Sequence, residues 1–137
     1  MVTMLLLFDD VQLFESDFFI RVSRALPHLR TLEISNHLEQ EEKTKTITDS
    51  IEYSHLSTLI LHKIHIDYGE QLLCRTHLPH LVKLVIRNDV LLTIIDQDNQ
   101  QARNNCLNVE TLFIVESWIK PTSVQLKFFP KLCMKNL

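Results

Sequence analysis

One short pattern recurs along the chain and limits what it can fold into. Leu26-Pro27-His28-Leu29-Arg30-Thr31-Leu32-Glu33-Ile34 is nearly repeated as Leu78-Pro79-His80-Leu81-Val82-Lys83-Leu84-Val85-Ile86. Between them, Ser54-His55-Leu56-Ser57-Thr58-Leu59-Ile60-Leu61 stands in the same phase. Val109-Glu110-Thr111-Leu112-Phe113-Ile114 is a fourth copy, and Val2-Thr3-Met4-Leu5-Leu6-Leu7 a fifth. The first apolar positions are residues 2, 29, 56, 81 and 109, which gives spacings of 27, 27, 25 and 28. Such a phase favours one structural unit used repeatedly, each unit too small to bury its own apolar face and therefore stacked on the next.

Within each copy the second and third apolar residues are two apart, which places them on one face of a short strand; the first plugs the turn leading in. The segments between copies supply the return. Ser16 to Leu26 carries Phe18, Phe19, Val22, Ala25 and Leu26 at helical spacing behind Ser16 as a candidate N-cap. The other returns, around Thr46 to Tyr53, Tyr68 to Leu78, Asn99 to Cys106 and Ser123 to Phe129, are shorter or more polar, and helices or helical turns are expected there.

The L-x-x-L-x-L pattern and its period of 25 to 28 residues resemble the leucine-rich repeat family, and within it the ribonuclease-inhibitor and F-box-associated type. The resemblance spans nearly the whole chain. It implies an α/β solenoid of about five irregular repeats forming a single domain over residues 1–137, with parallel strands on the concave face and helices on the convex face. There is one departure. The family usually sets Asn or Cys five residues after the second leucine, where this chain has Asp10, His37, Ile64, Asp89 and Ser117. Phe129-Pro130-Lys131-Leu132 echoes the entry to another copy, but Lys135 stands where its next leucine belongs. No F-box is recognisable, and the first copy starts with no capping segment, so the chain is expected to be an uncapped part of a longer protein.

Composition narrows the chemistry. With 45% apolar and 23% charged residues the chain has the makings of a core. Its one glycine, Gly69, leaves no glycine-rich phosphate loop. A net charge of −3 without basic runs gives no footprint for nucleic acid. Three cysteines, Cys74, Cys106 and Cys133, form no C-x-x-C pair, and the default reading is a reducing compartment, cytoplasm or nucleus. The apolar start meets Asp9-Asp10 too early for a signal peptide or membrane span.

Two histidine clusters invite a metal reading: Cys74-x-x-His77-x-x-His80 and His62-x-x-His65-x-Asp67. His80 shares its slot with His28 and His55, so a recurring turn residue explains it better, and Cys74 is expected to be buried in a return helix. No nucleophile signature surrounds any Ser or Cys. The pairs Asp9-Asp10 and Asp96-x-Asp98 read as solvated turn residues, and Glu39 to Lys45 as a charged loop. No enzyme activity, cofactor or metal is expected.

The strand residues that alternate away from the core offer the candidate site. The central column reads Leu6, Glu33, Ile60, Val85 and Phe113, four of five apolar. Its flanks are Met4, Thr31, Thr58, Lys83 and Thr111 on one side, and Phe8, Ser35, His62, Arg87 and Val115 on the other. From these, the expected partner surface comprises Leu6, Phe8, Glu33, Ile60, His62, Lys83, Val85, Arg87, Phe113 and Val115. An apolar stripe with a polar rim fits a protein or peptide partner. The resemblance to F-box-associated repeats implies substrate recognition for a ubiquitin ligase. Two alternatives remain: a stripe that packs on another part of a longer chain, and a small α/β enzyme domain with helices on both sheet faces. Glu33, Lys83 and Arg87 do not favour the latter, since its strands would be buried on both sides.

Overall fold

A computed structural model of the chain describes residues 3–8, 16–36, 51–115 and 127–131. In chain order the elements are β1 (Met4–Phe8), α1 (Ser16–Ala25), β2 (Thr31–Asn36), β3 (Ile51–Glu52), β4 (Thr58–Ile64), α2 (Ile66–Cys74), β5 (Thr76–His77), β6 (Lys83–Arg87), α3 (Asn88–Gln97), α4 (Gln100–Cys106) and β7 (Thr111–Val115). The strands that carry the motif, β1, β2, β4, β6 and β7, lie side by side in that order and pair in parallel. β3 and β5 form a separate, two-stranded parallel sheet. The fold is mixed α/β, with parallel sheets and four helices among the described residues.

Backbone hydrogen bonds repeat with the sequence motif. A turn precedes each motif strand after the first, closed by Leu29 N–H to Leu26 O, Leu56 N–H to Tyr53 O, Leu81 N–H to Leu78 O and Val109 N–H to Cys106 O, at 3.2–3.4 Å. One carbonyl per copy then accepts two amides from the next. Thr3 O takes Arg30 and Thr31 N–H, Arg30 O takes Ser57 and Thr58, Ser57 O takes Val82 and Lys83, and Val82 O takes Glu110 and Thr111, at 2.8–3.2 Å. These contacts are 27, 27, 25 and 28 residues long, the spacings of the leucines themselves.

Side-chain alternation builds the core on one face of this sheet. Leu32, Leu59 and Leu84 are in register and fully buried; Ile34, Leu61 and Ile86, the next inward residues of the same strands, are fully buried too, with Leu61 and Ile86 in register. The plug residues Leu29, Leu56, Leu81 and Val109 are buried too. From the helices come Phe19 and Val22 of α1, Tyr68, Leu72 and Leu73 of α2, Val90, Leu91, Ile94 and Ile95 of α3, and Ala102 and Cys106 of α4. Full burial of such a side chain is worth about 1.5–3 kcal/mol. Successive units are also tied by aromatics: the buried Tyr53 hydroxyl donates to Phe19 O at 2.8 Å, and the Phe19 and Tyr68 rings meet edge to face at 6.2 Å. Gly69 is needed for close approach rather than for a turn. A methyl group there would lie 2.7 Å from Val90 Cγ1, so its absence lets α2 and α3 pack together.

The returns depart from the sequence expectation in three places. Ile51–Glu52 is a strand, not a helical turn, because its backbone pairs with Thr76 and His77; residues 46–50 lie outside the described part. The return after β4 begins at Ile66, two residues earlier than expected, and Thr76–His77 within it is a strand rather than helical. The return after β6 holds two helices where one, near Asn99 to Cys106, was expected. Val90, Leu91, Ile94 and Ile95 give α3 a buried stripe at helical spacing, and Asp89 sits in its first turn, where a carboxylate suits the helix dipole. The helix ends at Asp98, whose φ of 51° is the left-handed region that Asp tolerates better than most residues. Asn99 then caps α4 by accepting Ala102 N–H at 3.0 Å. Asp96, read as a turn residue, is therefore in a helix, whereas Asp98 is in the turn. Of the last return, residues 127–128 are helical and a turn follows at 130–131, with Phe128 and Phe129 buried.

A buried polar residue holds the middle returns together. Asn105 accepts Leu78 N–H at 2.8 Å and donates to Leu73 O and Thr76 O at 2.8 and 2.7 Å. Gln101 Nε2 adds a fourth bond to its oxygen at 3.0 Å. An α4 side chain thereby satisfies the backbone where α2 gives way to β5.

Two outcomes are expected in urea unfolding. Leu59→Ala and Leu84→Ala should each cost about 2–5 kcal/mol, as for other packed cores, and Leu5→Ala, only half-buried in the first strand, clearly less. Hydrogen exchange should show the same order, with protection highest around Leu59 and Leu84. Asn105→Ala removes the partner of three buried backbone groups and should cost about 2–5 kcal/mol, with faster exchange of the Leu78 amide.

Candidate interaction surface

The alternation that buries Leu32, Leu59 and Leu84 turns their neighbours to the other face of the sheet. Leu6 pairs with Glu33, Glu33 with Ile60, Ile60 with Val85, and Val85 with Phe113, so all five central residues lie in one line across the strands. With strands about 4.8 Å apart, the line is about 19 Å long. Leu6 and Phe113 at its ends are 50% and 54% exposed, while Glu33, Ile60 and Val85 are half-buried. Met4, Thr31, Thr58, Lys83 and Thr111 form the in-register flank, with Met4 52% exposed.

The opposite flank differs from expectation. Between Glu33 and Ser35, β2 advances two residues while β4 advances from Ile60 to Lys63, so β4 holds one extra residue. The bulge pairs Ser35 with Lys63 rather than with His62. It also flips the pleat, and Ile64 joins Leu59 and Leu61 in the core. Ser35, read as a rim residue, is buried at 5% exposure. Phe8, His62 and Val115 belong to β1, β4 and β7, but their side chains lie outside the described part. A bulge has no residue signature in a period-two pattern, which explains why the sequence did not reveal it.

Charge is sparse on this face. Glu33 interrupts the apolar line, and Lys83 Nζ stands 5.3 Å from the centre of the Phe113 ring, close enough for a cation–π contact. That contact, between one flank residue and one central residue of neighbouring strands, was not anticipated from the sequence. Arg87 is half-buried and donates to Asp89 Oδ2 at 3.2 Å.

Cys74, Cys106, His77 and His80 lie elsewhere. Cys74 ends α2 and is buried, which pushes its thiol up to about 11, helped by Glu70 and opposed by Arg75. Burial raises the Cys106 thiol as well, with the Cys74 sulfur adding to the effect. Both are held as thiols at neutral pH, whereas the thiolate is the nucleophile and the metal ligand. Cys133 lies outside the described residues. His77, in β5, is exposed and sits 3.5 Å from Glu52 Oε1 and 3.2 Å from Gln101 Nε2. His80 is in the turn before β6. His62 is in β4, His65 follows it and Asp67 is already in α2, so a helix rather than a turn receives that cluster. Among the described residues no three of His, Cys, Asp and Glu gather at one point. Nor is any described helix long and apolar enough to cross a membrane.

No protein-family model, curated protein or solved structure matches the chain.

Proposed function

We propose that the chain is a leucine-rich repeat scaffold that binds a protein or peptide on the open face of its parallel sheet and performs no catalysis itself. The observation that carries this reading is the in-register line Leu6, Glu33, Ile60, Val85 and Phe113, which leaves large apolar side chains half-exposed beside a thin polar rim. Contiguous apolar exposure of this kind is characteristic of interaction sites, and interface centres are depleted of charge. Motif strands that lie side by side in chain order, and an entry turn repeated at each copy after the first, support the solenoid form of the fold. The same features weigh against the enzyme alternative, because a doubly wound sheet buries both of its faces. A substrate-receptor role in an F-box ubiquitin ligase is the narrower form of the proposal and rests on the resemblance of the repeats.

The test compares proteins co-purifying with the unaltered chain, with an Ile60→Asp, Phe113→Asp double variant, and with Leu92→Asp on the exposed side of α3. The double variant should lose the specific partners while keeping its circular dichroism and unfolding midpoint near those of the unaltered protein. Leu92→Asp should retain them. A folded double variant with an unchanged partner set would overturn the reading.

A further inference from the structure

The entry turns bring together two histidines that the sequence places 27 residues apart. His28 and His55 occupy the same slot in successive turns, and both are exposed. The turns are closed by Leu29 N–H to Leu26 O and Leu56 N–H to Tyr53 O, then clamped to each other where Ser57 and Thr58 donate to Arg30 O. Their positions are therefore set by backbone bonds. The two imidazole rings stand with centroids 5.1 Å apart and planes inclined at 31°.

That separation suits a shared metal ion. A histidine nitrogen binds zinc at about 2.0–2.1 Å, which puts the ring centroid about 3.2 Å from the metal; two imidazoles at the tetrahedral angle then have centroids about 5.2 Å apart. We propose that His28 and His55 form a two-histidine site for a late first-row divalent cation, with copper(II) held more tightly than zinc(II). Imidazole nitrogen suits these ions, and the affinity order follows the general one for divalent metals of the first row. Water fills the remaining coordination positions. The ion joins the turn before β2 to the turn before β4, so it acts as a clip between two successive units. A ligand bound by the folded state and not by the unfolded one raises stability.

The alternative is that the two rings only pack against each other, for which 5.1 Å is also an ordinary distance. Titration of the untagged chain with zinc chloride and with copper chloride, followed by calorimetry and by histidine ring NMR, separates the two. Saturable 1:1 binding is expected for each ion, tighter for copper, with the His28 and His55 ring signals perturbed together. His28→Gln and His55→Gln should each weaken binding by at least about tenfold, since each removes one of two ligands, and should abolish the zinc-induced rise in Tm. These exposed substitutions should leave the metal-free Tm close to that of the unaltered chain. His80→Gln, altering the same slot one turn further on, should leave binding unchanged. Absence of saturable binding, or equal losses from His80→Gln, would refute the site.

Discussion

Everything in the sheet depends on a carbonyl that accepts two amides. At Thr3, Arg30, Ser57 and Val82 the oxygen takes the N–H groups of two consecutive residues in the following copy, just where the strand begins. Both lone pairs of a group that would be costly to bury unpaired are used. The start of each strand is thereby set against its neighbour, and the rest follows from the pleat. Because side chains alternate with a period of two, a slip of one residue would send Leu32, Leu59 and Leu84 to the open face and Glu33, Ile60 and Val85 into the core. The turn bond that precedes each pair, such as Leu29 to Leu26, delivers the plug leucine inward and the strand outward in one step.

The strands are where the sequence was most legible. Three apolar residues in fixed phase located the five strands of the larger sheet and most of the in-out alternation of their described side chains, since local patterning and stacking demand the same thing there. The returns were harder to read. α1 and α4 were visible through Phe19 and Val22 and through the polar stretch behind Asn99, but α3 begins at Asn88, immediately after β6, with no loop between. A short apolar run can be strand or helix, and only the tertiary packing of Val90, Leu91, Ile94 and Ile95 decides it. The candidate surface was legible as a list of outward residues along the central line and the Met4 flank. It was not legible beyond Ile60, where one extra residue in β4 shifts the register, nor at Ser35, which is buried.

Asn105 meets a backbone need with one side chain. Its amide projects from α4 and serves Leu73, Thr76 and Leu78, some 27 to 32 residues earlier in the chain. The need arises because a chain leaving a helix and turning into a buried strand exposes groups that neither element satisfies. Asn suits this position because one side chain can donate twice and accept more than once. Gln101 pairing with the same oxygen fixes the orientation of the amide.

Gly69 sets how closely the helical layer can pack. Strands repeat about every 4.8 Å, whereas helices pack about 8–10 Å apart. A row of helices behind a parallel sheet is therefore the wider of the two layers. A residue without a side chain where α2 meets Val90 brings two helices close at that step. A larger residue at position 69 would press on Val90 and Ile94, which lie in the core, without touching the face that carries Ile60 and Val85.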